Sequence, residues 1–209
     1  MCEGQTEVEF VKTCLTPHLI PFHVHAFPVI LQAPSGRHRG GRVTVERLAK
    51  FMSHQYDECD YITTFVDFYG FQEAGERTRA ELEHDILAAT LARRNCLNPQ
   101  RILPYLQMHE FEALLFSDTS KFEWVLDGWN DDVRLQLQQV RQQFVTPENI
   151  NNSRVTAPSK RILSIFPEGT YSKVVHGPII AEQIGIEAIR NDCPAFHAWL
   201  QLLEGCGAV

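Results

Sequence analysis

Runs of β-branched and aromatic residues alternate with helical patterns in the first half of the chain, and this alternation constrains the fold most. The extended runs are Val24 to Leu31, Tyr61 to Asp67 and Arg101 to Met108, which have the composition of buried strands. Amphipathic helical spacing over Val43 to Tyr56 and Glu76 to Arg94 separates them. The alternation predicts an α/β fold with a mostly parallel sheet and helices on both faces.

Beyond Phe116 the pattern is wholly helical. Helices are expected over Lys121 to Leu126, Asp131 to Phe144, Ile179 to Ile189 and Pro194 to Leu203, with a loop at Gly169 to Val175 between them. We therefore predict two parts. Residues 1–116 form the α/β core, and residues 117–209 form a helical extension packed on that core.

Composition excludes several classes of protein. No run of about 18 apolar residues is present, so no membrane span is expected, and the amino terminus lacks the pattern of a signal peptide, which predicts a cytoplasmic protein. The six cysteines show no C-x-x-C spacing, which favours reduced thiols over disulfides or zinc. A net charge of −7 argues against a general basic surface for nucleic acid and leaves room for a local basic groove.

Acidic residues follow the predicted strands. Asp67 ends one strand, Glu110 follows another, and Glu3 and Glu7 lie in the turn that opens the chain. Because the carboxyl ends of parallel strands line one edge of a sheet, these four side chains are expected to converge there. Hard oxygen ligands of this kind select Mg²⁺ or Mn²⁺ over zinc.

The opening turn has a second interpretation. Thr6 followed by Glu9 predicts a capping box and a helix that begins at Thr6. Glu7 would then lie in the first turn, where it could act only by complementing the helix dipole, while Glu3 would be a solvated turn residue. The sequence alone leaves the two interpretations about even.

The segment His109-Glu110-Phe111-Glu112 is not the H-E-x-x-H pattern of zinc proteases, because position 113 is alanine. We expect His109 to orient a neighbour or to fill a half-buried site. On a regular helix Glu110 and Glu112 would face different directions, so at most one of them should reach a metal bound by Asp67. We favour Glu110.

Two segments are candidates for binding phosphate. The glycine-rich stretch Pro34 to Arg42 presents Arg37, Arg39 and Arg42, whose forked donors suit phosphate oxygens. It could equally be an exposed loop whose arginines only solubilise it. The second candidate places Pro158 in a first helical turn, so that Ser159, Lys160 and Arg161 lie at the positive end of a helix; the alternative is an ordinary solvated helix face.

These motifs resemble a known family. An opening Glu-Gly-x-x-Glu turn followed by a strand that ends in aspartate is similar to the Toprim domain of topoisomerases, primases and overcoming-lysogenization-defect nucleases. The segments Cys2 to Glu7, Thr63 to Gly70, Met108 to Phe116, Thr156 to Arg161 and Ile184 to Ile186 more closely resemble a bacterial family of Toprim-like proteins. Its members are often encoded beside ABC-type or AAA-type ATPases in apparent phage-defence operons.

The resemblance implies roles for particular residues. Glu3 would correspond to the Toprim catalytic glutamate, Asp67 to the first aspartate of the D-x-D metal motif, and Glu7 to a further metal ligand. Tyr69 stands where the general pattern has the second aspartate, and Glu110 is our replacement for it. Toprim domains have a full strand before the glutamate, whereas only Met1 and Cys2 precede Glu3 here, so either this sequence begins late or the first strand is shortened.

Three functions are compatible with this sequence. The leading hypothesis is a metal-dependent nuclease acting on DNA or RNA, the effector of an ATPase-coupled anti-phage system. In it, Glu3 is the general acid or base, Glu7, Asp67 and Glu110 hold metal, and Lys160 or Arg161 stabilises the developing negative charge. The second is a non-catalytic Toprim-like scaffold that binds a partner ATPase. The third, a metal-dependent phosphatase or small-nucleotide hydrolase, expects a closed pocket.

Overall fold

The computed structural model describes residues 1–31, 43–71, 75, 77–150 and 156–207. Four short strands and nine α-helices make up the regular structure of these residues, joined by 3-10 and π-helical turns. The strands are β1 (Ile62–Thr63), β2 (Val66–Asp67), β3 (Ile102–Leu103) and β4 (Leu106–Gln107). The helices are α1 (Gln5–Phe10), α2 (Thr16–Leu19), α3 (Val45–Gln55), α4 (Arg79–Arg93), α5 (Asp131–Gln142), α6 (Pro158–Ile165), α7 (Lys173–Ile184), α8 (Ile186–Asp192) and α9 (Pro194–Gly205).

All strand pairings are parallel, as the β/α alternation predicts. β1 pairs with β3 and β2 pairs with β4, so the strands predicted over Tyr61 to Asp67 and Arg101 to Met108 are each present as two short pieces. The interruption lies at Thr64, whose hydroxyl donates to the carbonyl of Tyr105 at 2.6 Å and accepts from its N–H at 2.8 Å. A side chain thus replaces the ladder hydrogen bonds at this point, and the α/β class is confirmed.

The first strand is short but is in place. Cys2 forms parallel bridges to both Ile30 and Phe65, and the amide of Phe65 donates to the carbonyl of Met1 at 2.7 Å. The prediction of a regular strand over Val24 to Leu31 is wrong, because only Ile30 of this run pairs, and it does so as an isolated bridge.

Helices α3 and α4 pack against each other beside the sheet. Their buried faces carry Leu48 and Met52 from α3 and Leu82 and Ile86 from α4, all with 0% exposure. The predicted apolar stripes are therefore confirmed, although α4 begins at Arg79 rather than Glu76. Thr78 explains this start, because its hydroxyl accepts from the Glu81 amide while the Glu81 carboxylate accepts from the Thr78 amide.

A larger hydrophobic cluster joins α1 to the carboxyl-terminal helices. Phe10 packs on Phe65, Phe111 and Phe196 with ring centroids 5.3 to 6.1 Å apart, and Trp199 stacks on Tyr105 at 4.4 Å. The prediction that the aromatic residues of α9 are core residues is confirmed. This cluster includes residues from both sides of position 116, so the helical half shares its core with the sheet.

Three predictions of helix bounds in the second half are wrong. The helix expected over Ile179 to Ile189 is interrupted, because Gly185 has φ +82° and separates α7 from α8. The expected loop over Gly169 to Val175 ends early, because α7 already begins at Lys173. The segment predicted as a helix over Lys121 to Leu126 is instead a 3-10 turn over Thr119–Trp124. Among the described residues, no helix is long and apolar enough to cross a bilayer. All six cysteines are free thiols.

Candidate acidic site at the carboxyl ends of the strands

The opening turn places Glu3 and Glu7. Glu3 directly follows the Cys2 bridge, and Glu7 lies in the first turn of α1, which begins at Gln5 rather than Thr6. The predicted capping box of Thr6 and Glu9 is wrong, because the Glu7 carboxylate, not the Glu9 carboxylate, accepts a free amide at the helix start, from Gly4 at 2.9 Å. Glu7 therefore caps the helix and still faces the sheet edge.

Asp67 ends β2 and contacts both neighbouring segments. Its amide donates to Glu3 Oε2 at 3.4 Å, and its Oδ1 accepts from the amide of Phe111 at 2.9 Å. The turn that follows runs close to Glu3, since a Cβ added to Gly70 would lie 3.4 Å from Glu3 Oε1. Through these two hydrogen bonds, Asp67 connects the opening turn to the segment that follows β4.

A sharp change of direction after β4 places Glu110. His109 has φ +63°, a left-handed conformation that costs a non-glycine residue energy, and its carbonyl accepts from the Tyr69 amide at 3.0 Å. Glu110 is then extended, with φ −145° and ψ 158°. Its Oε2 accepts from the Ser159 amide at the start of α6, at 2.9 Å.

Glu112 joins the site as well, which the sequence argument did not foresee. Glu110 precedes the 3-10 turn Phe111–Ser117, so the rule for faces of one helix does not apply to the pair. The negative charges of Glu112 and Glu110 both act on Asp67. The structure therefore brings together all four predicted carboxylates and adds a fifth.

Burial and mutual repulsion raise the pKa values of Glu3, Glu7, Asp67 and Glu112. Glu7, Glu110 and Glu112 are 8%, 8% and 3% exposed, while Glu3 and Asp67 are partly exposed. Burial raises the pKa of Asp67 well above its ordinary value, and the charges of Glu7, Glu3, Glu112 and Glu110 raise it further. Burial is also the largest cause of the raised pKa values of Glu3, Glu7 and Glu112.

Lys173 provides positive charge inside the site. Its ammonium lies 3.1 Å from Glu112 Oε1, and its side chain is 38% exposed. Burial alone would lower the pKa of Lys173, but the charges of Glu112, Glu110 and Asp67 outweigh burial and raise it. Arg47 of α3 adds a second cation, which together with Lys173 opposes the rise in the pKa of Glu3.

The residues at the start of α6 that were predicted to bind phosphate differ in their contacts: Ser159 and Arg161 bind groups of the chain itself, and Lys160 faces solvent. The Ser159 amide already binds Glu110, so the anion at the start of α6 is the chain's own carboxylate. Arg161 donates through Nε to the Thr156 carbonyl at 2.9 Å and lies over the Phe144 ring at 5.4 Å, while Lys160 is exposed. Their roles in binding phosphate stay predictions. Arg37, Arg39 and Arg42 lie outside the described residues.

The donor set fits a hard divalent cation in its chemistry. Every acidic group is a carboxylate, the ligand type that Mg²⁺ and Mn²⁺ prefer, and the repulsion that raises the pKa of Asp67 would be relieved by a cation. Within residues 1–31, 43–71, 77–150 and 156–207, however, no three such groups converge closely enough in their present positions to hold a metal ion. The structure therefore gathers the donors without forming a closed ligand shell.

The fold and the site together define an α/β protein with an acidic centre at the carboxyl ends of parallel strands. The sequence model of one family, described as a domain of unknown function (DUF4276), matches residues 2–204, and the chain belongs to that family. Searches of curated proteins and of solved structures returned no match.

Proposed function

We propose that the protein is a Mg²⁺- or Mn²⁺-dependent nuclease that cleaves phosphodiester bonds from a Toprim-like core. The observation that carries this proposal is the hydrogen bond that joins Asp67 to Glu3, together with the charges of Glu7 and Glu110 that act on Asp67 at the same sheet edge. The parallel pairing of Cys2 with Phe65 supports the Toprim-like arrangement, because it places Glu3 beside the end of the strand that carries Asp67.

Charge balance supports a cation at this site. Burial is the largest cause of the raised pKa values of Glu3, Glu7, Asp67 and Glu112. At Asp67 the charges of the four other carboxylates raise the pKa further, whereas Lys173 and Arg47 act in the opposite direction at Glu3. Keeping like charges together destabilises a fold unless something binds to them. Glu3, Glu7, Asp67 and Glu110 are the residues that would hold a metal ion.

Each side chain has a role that follows from its surroundings. A bound Mg²⁺ or Mn²⁺ would lower the pKa of a coordinated water and neutralise charge on the phosphate. Glu3 is partly exposed and is therefore open to solvent as the group that exchanges a proton with the attacking water or the leaving oxygen. Lys173 is the cation placed to stabilise the negative charge that develops on the phosphate. Lys160 and Arg161 are assigned to contacts with more distant phosphates.

The substrate and partner follow from different arguments. Lys173 and Arg47 form a local basic lining beside the acids, which suits a polyanionic substrate even though the net charge of the chain is −7. The nucleic acid is therefore proposed from the site. The ATPase partner, of the ABC or AAA type, is proposed from the family resemblance alone.

Cleavage of plasmid DNA and of tRNA in the presence of Mg²⁺ or Mn²⁺ tests the function. We expect wild-type protein to cut at least one of them, Glu3→Gln to lose activity, and Lys173→Met to lose roughly a hundredfold or more. Glu123→Gln removes an exposed carboxylate away from the site and should cleave like wild type.

Two other outcomes are informative. If folded wild-type protein cuts neither substrate with either metal, alone or with an ATPase encoded beside it, the nuclease proposal is wrong and the scaffold is favoured. Tyr69, in place of a second aspartate, would then mark a lost active site. Activity that survives Glu3→Gln would show that the acidic cluster is not the site of cleavage.

A further inference from the structure

A second concave site, which we name the amino-end groove, lies near the amino-terminal end of β1. Its volume is about 510 Å³, which is in the range of binding sites. Residues 23–29 and 58–63 form much of its lining, together with part of α9. Buried core side chains such as Leu19, Phe65 and Trp199 line it as well. The acidic site lies beyond the carboxyl end of β2, so the two sites are at opposite ends of the strands.

The rim of the amino-end groove exposes apolar side chains to solvent. Phe27 is 81% exposed, Val29 43% and Tyr61 37%, and all three line the groove. Exposed apolar surface gathered around one cavity is typical of a site that another molecule covers. A small ligand at the bottom of the groove would leave Phe27 in water, so a longer molecule is needed to cover the rim.

The charged side chains that line the amino-end groove are acidic. Glu58 and Asp60 are both exposed, and no lysine or arginine is among the described residues that line the groove. Neither carboxylate forms an ion pair within the part of the chain that the structure describes, since Arg101 donates to backbone carbonyls of this segment instead. The Met1 ammonium donates to the Thr63 carbonyl at 2.9 Å. Two unpaired negative charges therefore stand beside an apolar surface.

We propose that the amino-end groove binds a segment of a partner protein in which apolar side chains lie next to lysine or arginine. The apolar side chains of such a segment would cover Phe27 and fill the groove, and its cations would pair with Glu58 and Asp60. Charge argues against a second copy of this chain, because a symmetric contact would bring the same carboxylates against each other. The net charge of −7 acts in the same direction.

Fluorescence anisotropy with two labelled synthetic nonapeptides, measured on the full chain without metal or nucleic acid, tests the inference. Both peptides contain the same leucine and phenylalanine residues, and one carries two lysines where the other carries two glutamates. We expect the lysine peptide to bind at least about tenfold more tightly than the glutamate peptide. Phe27→Ala should weaken binding of the lysine peptide about tenfold. The double variant Glu58→Gln/Asp60→Asn should bring the two affinities to within about twofold of each other.

Matched variants separate the groove from the rest of the surface. Leu126→Ala truncates a side chain that is 80% exposed and does not line the groove. Glu123→Gln/Glu168→Gln removes two exposed carboxylates elsewhere on the chain, and thus lowers the net negative charge by the same amount as the groove variant. Both controls should bind the two peptides as the wild type does.

Three results would overturn the inference. The first is a folded wild-type protein that does not bind the lysine peptide or binds both peptides equally well. The second is binding of the lysine peptide that Phe27→Ala and Glu58→Gln/Asp60→Asn leave unchanged. The third is a wild-type dimer, seen by sedimentation, that Phe27→Ala dissociates, because the occupant would then be a second copy of the chain. Since the assay uses neither metal nor nucleic acid, its failure is distinct from a failure of the nuclease proposal.

Discussion

Replacing Asp67 with asparagine should make the metal-free protein more stable. Asp67 is the carboxylate on which the charges of Glu7, Glu3, Glu112 and Glu110 all act. Asparagine keeps an oxygen that can accept the Phe111 amide, a bond of 2.9 Å in the structure. The substitution therefore removes a buried charge, whose burial is the largest cause of the raised pKa of Asp67, together with the repulsion. It keeps the hydrogen bond, although the bond to a neutral acceptor is weaker.

The magnitude follows from the linkage between pKa and stability. Each unit by which the pKa of Asp67 is raised in the folded state costs about 1.4 kcal/mol once the pH exceeds both the unfolded and the folded value. Subtracting the weaker hydrogen bond leaves a gain of about 1 to 2 kcal/mol for Asp67→Asn. For a chain of this length that is a rise in Tm of roughly 3 to 6 °C.

The pH dependence has a defined sign. Because the folded pKa of Asp67 lies above its ordinary value of 3.8, the folded state binds the proton more tightly than the unfolded state. Without metal, the wild-type protein is therefore most stable where Asp67 is protonated. Its stability falls as the pH rises from about 4 through the raised pKa of Asp67 in the folded state. The advantage of Asp67→Asn should grow over the same range.

Thermal unfolding in a metal chelator, followed by circular dichroism at about pH 5 and about pH 8, measures the effect. Asp60→Asn, at an exposed position, is the matched control and should leave Tm within a degree or so of wild type. If Asp67→Asn is less stable than wild type at the higher pH, the carboxylates do not repel one another as described, and the argument for a cation at this site loses its basis.

Three further substitutions test other parts of the fold by thermal unfolding. Glu148→Ala leaves two buried amides at the start of α9 without the acceptor that now lies 2.9 Å from each, so we expect a loss of about 2 to 4 kcal/mol, and little change would mean that another group caps the helix. Glu204→Gln weakens the contacts to His18 at 2.8 Å and Arg190 at 2.7 Å. Burial acts to raise the pKa of Glu204, yet these partners lower it overall, so wild type should lose its advantage over Glu204→Gln as the pH falls below about 4.5, and an advantage that persists in acid would contradict this. Gly128→Ala would place a Cβ 2.5 Å from the Thr170 hydroxyl, which should cost about 1 to 3 kcal/mol, and a stable variant would show that this turn can shift.

The sequence predicted those parts of the site that depend on strand ends. Asp67 and Glu110 follow apolar runs whose composition marks them as strands, and the rule that parallel strands share a carboxyl edge was sufficient to bring Asp67 and Glu110 together with Glu3. The alternation also predicted the parallel pairing and the buried faces of α3, α4 and α9. These features depend on local composition and on spacing, both of which a single sequence displays.

The sequence did not predict features that depend on backbone geometry between elements. Glu112 was set aside because Glu110 was placed on the same helix, whereas the left-handed His109 leaves Glu110 extended before the turn. Lys173 was placed in a loop that ends earlier in the structure than predicted, and its pairing with Glu112 joins residues far apart in the chain. The run from Val24 has the composition of a strand, but only Ile30 of it pairs, because composition does not show which residues will find a pairing partner.

Calorimetric titration of Mn²⁺ and Mg²⁺ into the wild-type protein, Glu3→Gln and Asp67→Asn tests the central claim most directly. The account predicts that the wild type binds at least one of these ions and that both substitutions weaken binding tenfold or more, since each removes a charged ligand. Glu123→Gln should bind like the wild type. If the folded wild type binds neither ion, or if Glu3→Gln and Asp67→Asn bind them as tightly as the wild type does, the acidic cluster is not a metal site.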